Sequence, residues 1–88
     1  MTEKRIALLG IIVEDMSSTE KINAILHECS EHIIGRMGIP YRQAGISIIS
    51  IVLDADNDFV SALSGRLGML PGVSVKSICS KQTYCDCR

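Results

Sequence analysis

The sequence predicts an α+β fold of order β-α-β-β-α-β. This is the ferredoxin-like two-layer sandwich, in which two helices cover one face of a four-stranded antiparallel sheet. Three observations predict it. The runs IALLGIIV at 6–13 and ISIISIVL at 46–53 are apolar, β-branched and of strand length. Two stretches behind capping residues repeat apolar side chains at helical spacing. An alternating run at 73–79 supplies a last strand. Eighty-eight residues hold one domain, placed at 1–80, followed by a cysteine-bearing tail at 81–88.

The first strand spans 6–13, with Gly10 marking a bulge or a close backbone approach. Ser17-Ser18-Thr19-Glu20 then reads as a capping box. In it the Ser17 hydroxyl accepts from the Glu20 backbone N–H, and the Glu20 carboxylate reaches back. Ile22, Ile25, Leu26 and Cys29 follow at i, i+3, i+4, i+7, so a helix is expected over 17–29. The next segment carries Gly35 and Gly38, each costing a helix about 1 kcal/mol, so it is read as a strand. Its Ile33, Met37 and Ile39 share one face, and Pro40 stops it. Residues 41–45 form a loop, and 46–53 the clearest strand in the chain. Asp56 is placed to cap a helix over 57–68, with Asp58 in its first turn and Val60, Leu63 and Leu67 on its apolar face. Leu70-Pro71-Gly72 turns the chain into the last strand.

Composition narrows the function classes. The chain is 47% hydrophobic but only 3% aromatic, so its core is aliphatic and disorder is excluded. Formal charge is −1, without the basic surplus of a stand-alone nucleic-acid binder, so direct nucleic-acid binding is not expected. No apolar run approaches the ~18 residues of a membrane span. No signal-peptide cleavage pattern follows the start, and the expected location is the cytoplasm with its cysteines reduced.

Both faces of the sheet centre are apolar. Ile6, Leu8 and Ile12 point one way along the first strand, and Leu9, Ile11 and Val13 the other. The third strand repeats this, with Ile46, Ile48 and Val52 against Ile49, Ile51 and Leu53. A two-layer fold covers one such face only, so a homo-oligomer, dimer or tetramer, is expected to close the other by sheet face or strand edge.

Few residues suggest chemistry. His27, Cys29 and His32 are potential metal ligands within six residues, but Cys29 fits the apolar helix face and reads as core. Cys85-Asp86-Cys87, with Cys79 nearby, offers thiols for a soft metal, a disulfide or an oxidant response. Arg36, Tyr41 and Arg42 flank the second strand and could grip an anion or a carboxylate. Asp54, Asp56 and Asp58 lack the glycine and distal glutamate of a calcium loop and are read as caps. No Cys-x-x-Cys of a metal carrier stands between first strand and first helix, where Glu14-Asp15-Met16-Ser17 is found.

The segments RIALLGIIV (5–13), IGRMGIP (34–40), GISIISIVLD (45–54) and SALSGRLGMLPGVSVK (61–76) resemble the iron-only hydrogenase system regulators, over about residues 4–80. None of these segments is a catalytic motif. The resemblance implies kinship with the ligand-binding domain of nickel-responsive transcription regulators and with ACT domains. Both have this βαββαβ fold and bind small effectors or metals at subunit interfaces. It also implies association with the maturation of iron-only hydrogenases in anaerobes. Two features depart from the nickel-responsive regulators. The chain starts almost directly with its first strand, with no ribbon-helix-helix segment before it. It has no His-x-His pair on a strand, so no nickel ligands carry over.

The resemblance thus implies an ACT-like regulatory domain that senses a small molecule or metal and acts through a partner protein or on transcription. ACT-like sites use the loop after the first strand, so the binding residues it implies are Glu14, Asp15, Gly35, Arg36 and Gly38; which effector they hold stays open. The alternative is a thiol-based metal-binding or redox-responsive protein using Cys79, Cys85 and Cys87. A third reading, a small dimeric enzyme, has only His32 as general acid or base.

Overall fold

In the computed structural model, residues 3–81 and 84–85 are described, with Glu3, Tyr84 and Cys85 described by their backbone. The elements run β1 (Glu3–Val13), α1 (Thr19–Glu28), β2 (Ile33–Tyr41), β3 (Ile46–Ala55), α2 (Asn57–Gly68), β4 (Val73–Cys79) and β5 (Tyr84–Cys85). Single 3-10 turns precede α1 at Met16–Ser18 and follow it at Ser30–His32. The strands are antiparallel in the order β2-β3-β1-β4, and β5 pairs with the outer end of β1. This is the expected ferredoxin-like sandwich, with the two longest strands at its centre.

Alternation along those strands decides where the core lies. Ala7, Leu9, Ile11 and Val13 of β1 and Ile49, Ile51, Leu53 and Ala55 of β3 are buried. They pack against Ile22, Leu26 and Cys29 of the first helical segment and Val60, Leu63 and Leu67 of α2 in one aliphatic cluster. Fully burying one such Leu or Ile is worth about 1.5–3 kcal/mol. The residues in between form the second face. Ile6, Leu8, Ile12 and Ile48 remain 40–45% exposed there, and Ile78 of β4 is 68% exposed.

Several expectations need correction. The capping box at Ser17 does not form. Asp15 caps the preceding 3-10 turn, accepting from the Ser17 backbone N–H at 2.9 Å, and the Ser17 hydroxyl donates to the same carboxylate at 2.7 Å. An ionised carboxylate is the stronger acceptor and draws in both donors, so the α-helix proper starts at Thr19. Pro40 does not end β2, which continues to Tyr41. β2 is an edge strand, where a residue without an N–H can be tolerated. Ile33, Met37 and Ile39 do not share a face either. Ile33 pairs with Leu53 and Gly35 with Val52, so Ile34 is a bulge that reverses the alternation after it. Ile33 packs on the core, while Met37 and Ile39 lie on the open face, 58% and 48% exposed. Finally, part of the segment expected as a plain tail forms a strand, with Lys4 opposite Tyr84 and Glu3 opposite Cys85.

Candidate functional site

The Ile34 bulge decides which side chains of β2 face the helices. After it, Arg36 lies opposite Ile51, Gly38 opposite Ile49 and Pro40 opposite Ser47. Two of these partners, Ile51 and Ile49, are core residues, so Arg36, Gly38 and Pro40 stand on the helix side of the sheet. No packed helix fills the space above them. An open trough runs there between α1 and β2. One hollow of about 160 Å³ is lined by Thr19, Asn23, Arg36, Gly38, Pro40 and Ser47, among others. A second of about 440 Å³ adjoins it across the same Asn23 and Arg36, and is walled by His27, Ser30 and Ile33. A third, of about 250 Å³, lies at the β2–β3 hairpin between Met16, Pro40, Tyr41 and Arg42.

The trough combines one fixed charge with small polar groups. The Arg36 guanidinium donates to Asn23 Oδ1 at 2.5 Å, which fixes the side chain across the trough between two hollows. The other N–H groups of that planar fork suit an oxyanion. Thr19 Oγ1 is buried in the trough wall without a hydrogen-bond partner, and a buried hydroxyl in that state costs about 1–3 kcal/mol. Gly38 leaves the floor without a side chain, and the space above it is open, with no atom within 4 Å of where a Cβ would stand. The whole supplies a cation, a hydroxyl in want of a partner and an apolar floor.

The residues expected from the sequence separate into several places. Arg36 and Gly38 lie together in the trough. Gly35 is opposite Val52 and so lies on the other face of the sheet. The Asp15 carboxyl caps the 3-10 turn, and the two Ser17 hydrogen bonds hold it below the usual carboxylate range. Glu14 is tied by its backbone, whose N–H donates to the Gly72 carbonyl at 2.7 Å. Both acids thus sit against the turn before β4. Thr19 and Asn23 were missed. The signal was present, because Thr19, Asn23 and His27 recur at i, i+4, i+8 as a polar stripe beside the apolar face of α1.

The cysteines do not form one cluster in the described residues. Cys79 is half-buried at the end of β4 opposite Ala7, and Cys85 is opposite Glu3. Three residues of β1 lie between those partners, setting the two positions about 13 Å apart along the strand. Cys87 lies outside the described residues. Cys29 is buried, and burial pushes its thiol above the ordinary range, against the pull of Arg66. His32 is half-buried, its ring packed on Phe59 with centroids 4.2 Å apart. Among the described residues no group of three or more His, Cys, Asp or Glu could hold a metal. None of the described helices is long and apolar enough to cross a membrane.

The sheet order, the two helices on one face and the trough beside them define a ferredoxin-like, ACT-like α+β domain. The chain belongs to the TM1266-like family, described as "Iron-only hydrogenase system regulator, putative", which it matches over residues 5–77. It is similar to the protein TM1266 of Thermotoga maritima, at 42% identity and a TM-score of 0.86, over 90% of this chain and 100% of that one. It is also similar in fold to part of a formyltetrahydrofolate deformylase from Pseudomonas putida KT2440, at 18% identity and a TM-score of 0.60. That match covers 82% of this chain but 28% of the enzyme, and speaks for the fold alone. No curated protein matches the chain.

Proposed function

We propose that this chain is a cytoplasmic, non-enzymatic sensing module of an iron-only hydrogenase system, binding a small carboxylate or similar oxyanion in the trough between α1 and β2. The observation behind this reading is the Arg36 guanidinium, fixed by Asn23 beside the unpartnered Thr19 hydroxyl. A carboxylate would take the free edge of the Arg36 fork, and a rotation of the Thr19 side chain would bring its buried hydroxyl to a donor or acceptor on the same molecule. Membership of a family described as regulators supports sensing rather than turnover. Binding would act by population shift, favouring the state of the domain that a partner protein recognises.

Calorimetric titration with a panel of small mono- and dicarboxylates tests this. At least one should bind with a Kd at or below about 1 mM. Arg36→Gln should weaken that binding at least about tenfold, and Arg36→Lys should restore little of it, because an ammonium has no planar fork. Thr19→Val should weaken it less, with the fold intact. A panel that gives no heat with the wild type, or binding indifferent to Arg36→Gln, would sink the reading.

A further inference from the structure

The open face of the sheet is the largest feature that the trough does not use. On this face Ile6, Leu8, Gly10 and Ile12 of β1, Ile46, Ile48, Ser50 and Val52 of β3 and Gly35, Met37, Ile39 and Tyr41 of β2 carry no charge, and Asp54, opposite Ile6, stands at the end of the patch. On β4 the only charge is Lys76, at the sheet edge. Eight large side chains stand 40–68% exposed there, from Ile6, Leu8 and Ile48 at the centre to Ile39 and Ile78 on the edge strands. Their exposed area sums to roughly 700 Å², beyond the ~300–600 Å² of the largest apolar patch on a typical monomer. The chain does not cover this face with its own described residues. Tyr84–Cys85 is spent as a strand beside β1.

We infer that this face closes against the same face of a second copy, giving a four-layer helix–sheet–sheet–helix dimer. The area fits. Two faces of roughly 700 Å² bury about 1,400 Å², inside the ~1,200–2,000 Å² of a stable interface. The shape fits as well, because a twisted sheet packs on another of the same twist at about 10 Å. Chemistry singles out a second copy over a different protein. The patch is aliphatic and almost uncharged, with no polar pattern to select a distinct partner, and a twofold pairing presents the same apolar surface from both sides. Gly10 and Ser50 are register partners at the centre of the face. With no Cβ on one and a small side chain on the other, they leave a shallow socket that an aliphatic side chain of the second copy can enter.

Sedimentation equilibrium of the full chain from about 1 to 200 µM, a range that brackets the association expected for an interface of this size, decides the matter. The wild type should sediment as a dimer or a multiple of it. Two variants charge the face. Ile39→Lys with Ile78→Lys alters side chains already about half or more solvated, and Ser50→Lys sets a charge at the centre without removing any apolar contact. Each should weaken association at least about a hundredfold, the consequence of burying unpaired charges in an apolar interface, with the circular dichroism spectrum unchanged. If the double variant unfolds, Ser50→Lys alone decides. A monomeric wild type at 200 µM overturns the inference, as does association that survives both variants, which would place the contact at the strand edges. None of these readouts depends on a ligand, so the inference and the carboxylate reading can fail separately.

Discussion

Gly45 and Gly72 share a backbone conformation but not a neighbourhood. Their φ values are +67° and +66°, in the left-handed region that costs other residues about 1–3 kcal/mol. A Cβ at Gly45 meets open space, whereas a Cβ at Gly72 would stand 2.5 Å from Asp15 Cβ and 2.7 Å from the Asp15 backbone nitrogen. The colliding atoms are backbone and the first side-chain carbon, so they cannot swing aside. The Glu14 N–H to Gly72 carbonyl hydrogen bond and the Ser18 hydroxyl to Pro71 carbonyl hydrogen bond, both 2.7 Å, hold the two loops together. Gly45→Ala should therefore cost about 1 kcal/mol in urea unfolding, and Gly72→Ala at least about 3 kcal/mol, since strain and overlap add. Equal losses would show that the Asp15 loop is not pinned to the turn.

Among the elements, β2 is unusual in serving two surfaces. The bulge at Ile34 places Arg36 and Gly38 over the trough and Met37, Ile39 and Tyr41 on the open face. A shift of this edge strand would move both surfaces at once, and so would couple the proposed carboxylate trough to the proposed dimer face. The second helix is built more conventionally. Asp56 accepts from the Phe59 N–H at 2.7 Å, and the acidic Asp58 and basic Arg66 complement the helix dipole at its two ends. Asp56→Ala should cost about 1 kcal/mol, read as a lower urea midpoint with an unchanged slope, because α2 supplies Val60, Leu63 and Leu67 to the core without changing how much surface unfolds.

For the whole molecule, the proposed dimer would link stability to association. An 88-residue chain buries only roughly 60% of the surface its unfolded form exposes. Covering the second sheet face adds to that sum, and a dimer that forms only from folded chains gains stability with protein concentration. Thermal midpoints of the wild type should rise by several degrees over a hundredfold increase in concentration, while those of Ser50→Lys should stay constant. A midpoint independent of concentration in both would mean that the open face is as exposed in solution as it is in a single chain.

Much of this protein was legible in its sequence. Continuous β-branched runs named the two central strands, and Asp56 with its following apolar spacing named the second helix, because strand burial and helix capping are local properties of a few neighbouring residues. The two apolar faces of β1 and β3 were legible for the same reason, through the twofold period of the strand. Arg36 and Gly38 were picked out, but their neighbours Thr19 and Asn23 were not, and Gly35 was grouped with them although it lies on the other face. That distinction rests on one bulged residue, Ile34, which the tertiary pairing of β2 with β3 selects and no local pattern announces. The same holds for Asp15, where a carboxylate beside a turn took the donors that the expected capping box needed, and for the pairing of Tyr84–Cys85 with β1. The sequence by itself determined the elements and which of their faces are apolar, since those follow from period and propensity. The tertiary structure alone decided which side chains share the trough, because register across strands is settled by long-range pairing rather than by neighbours in the chain.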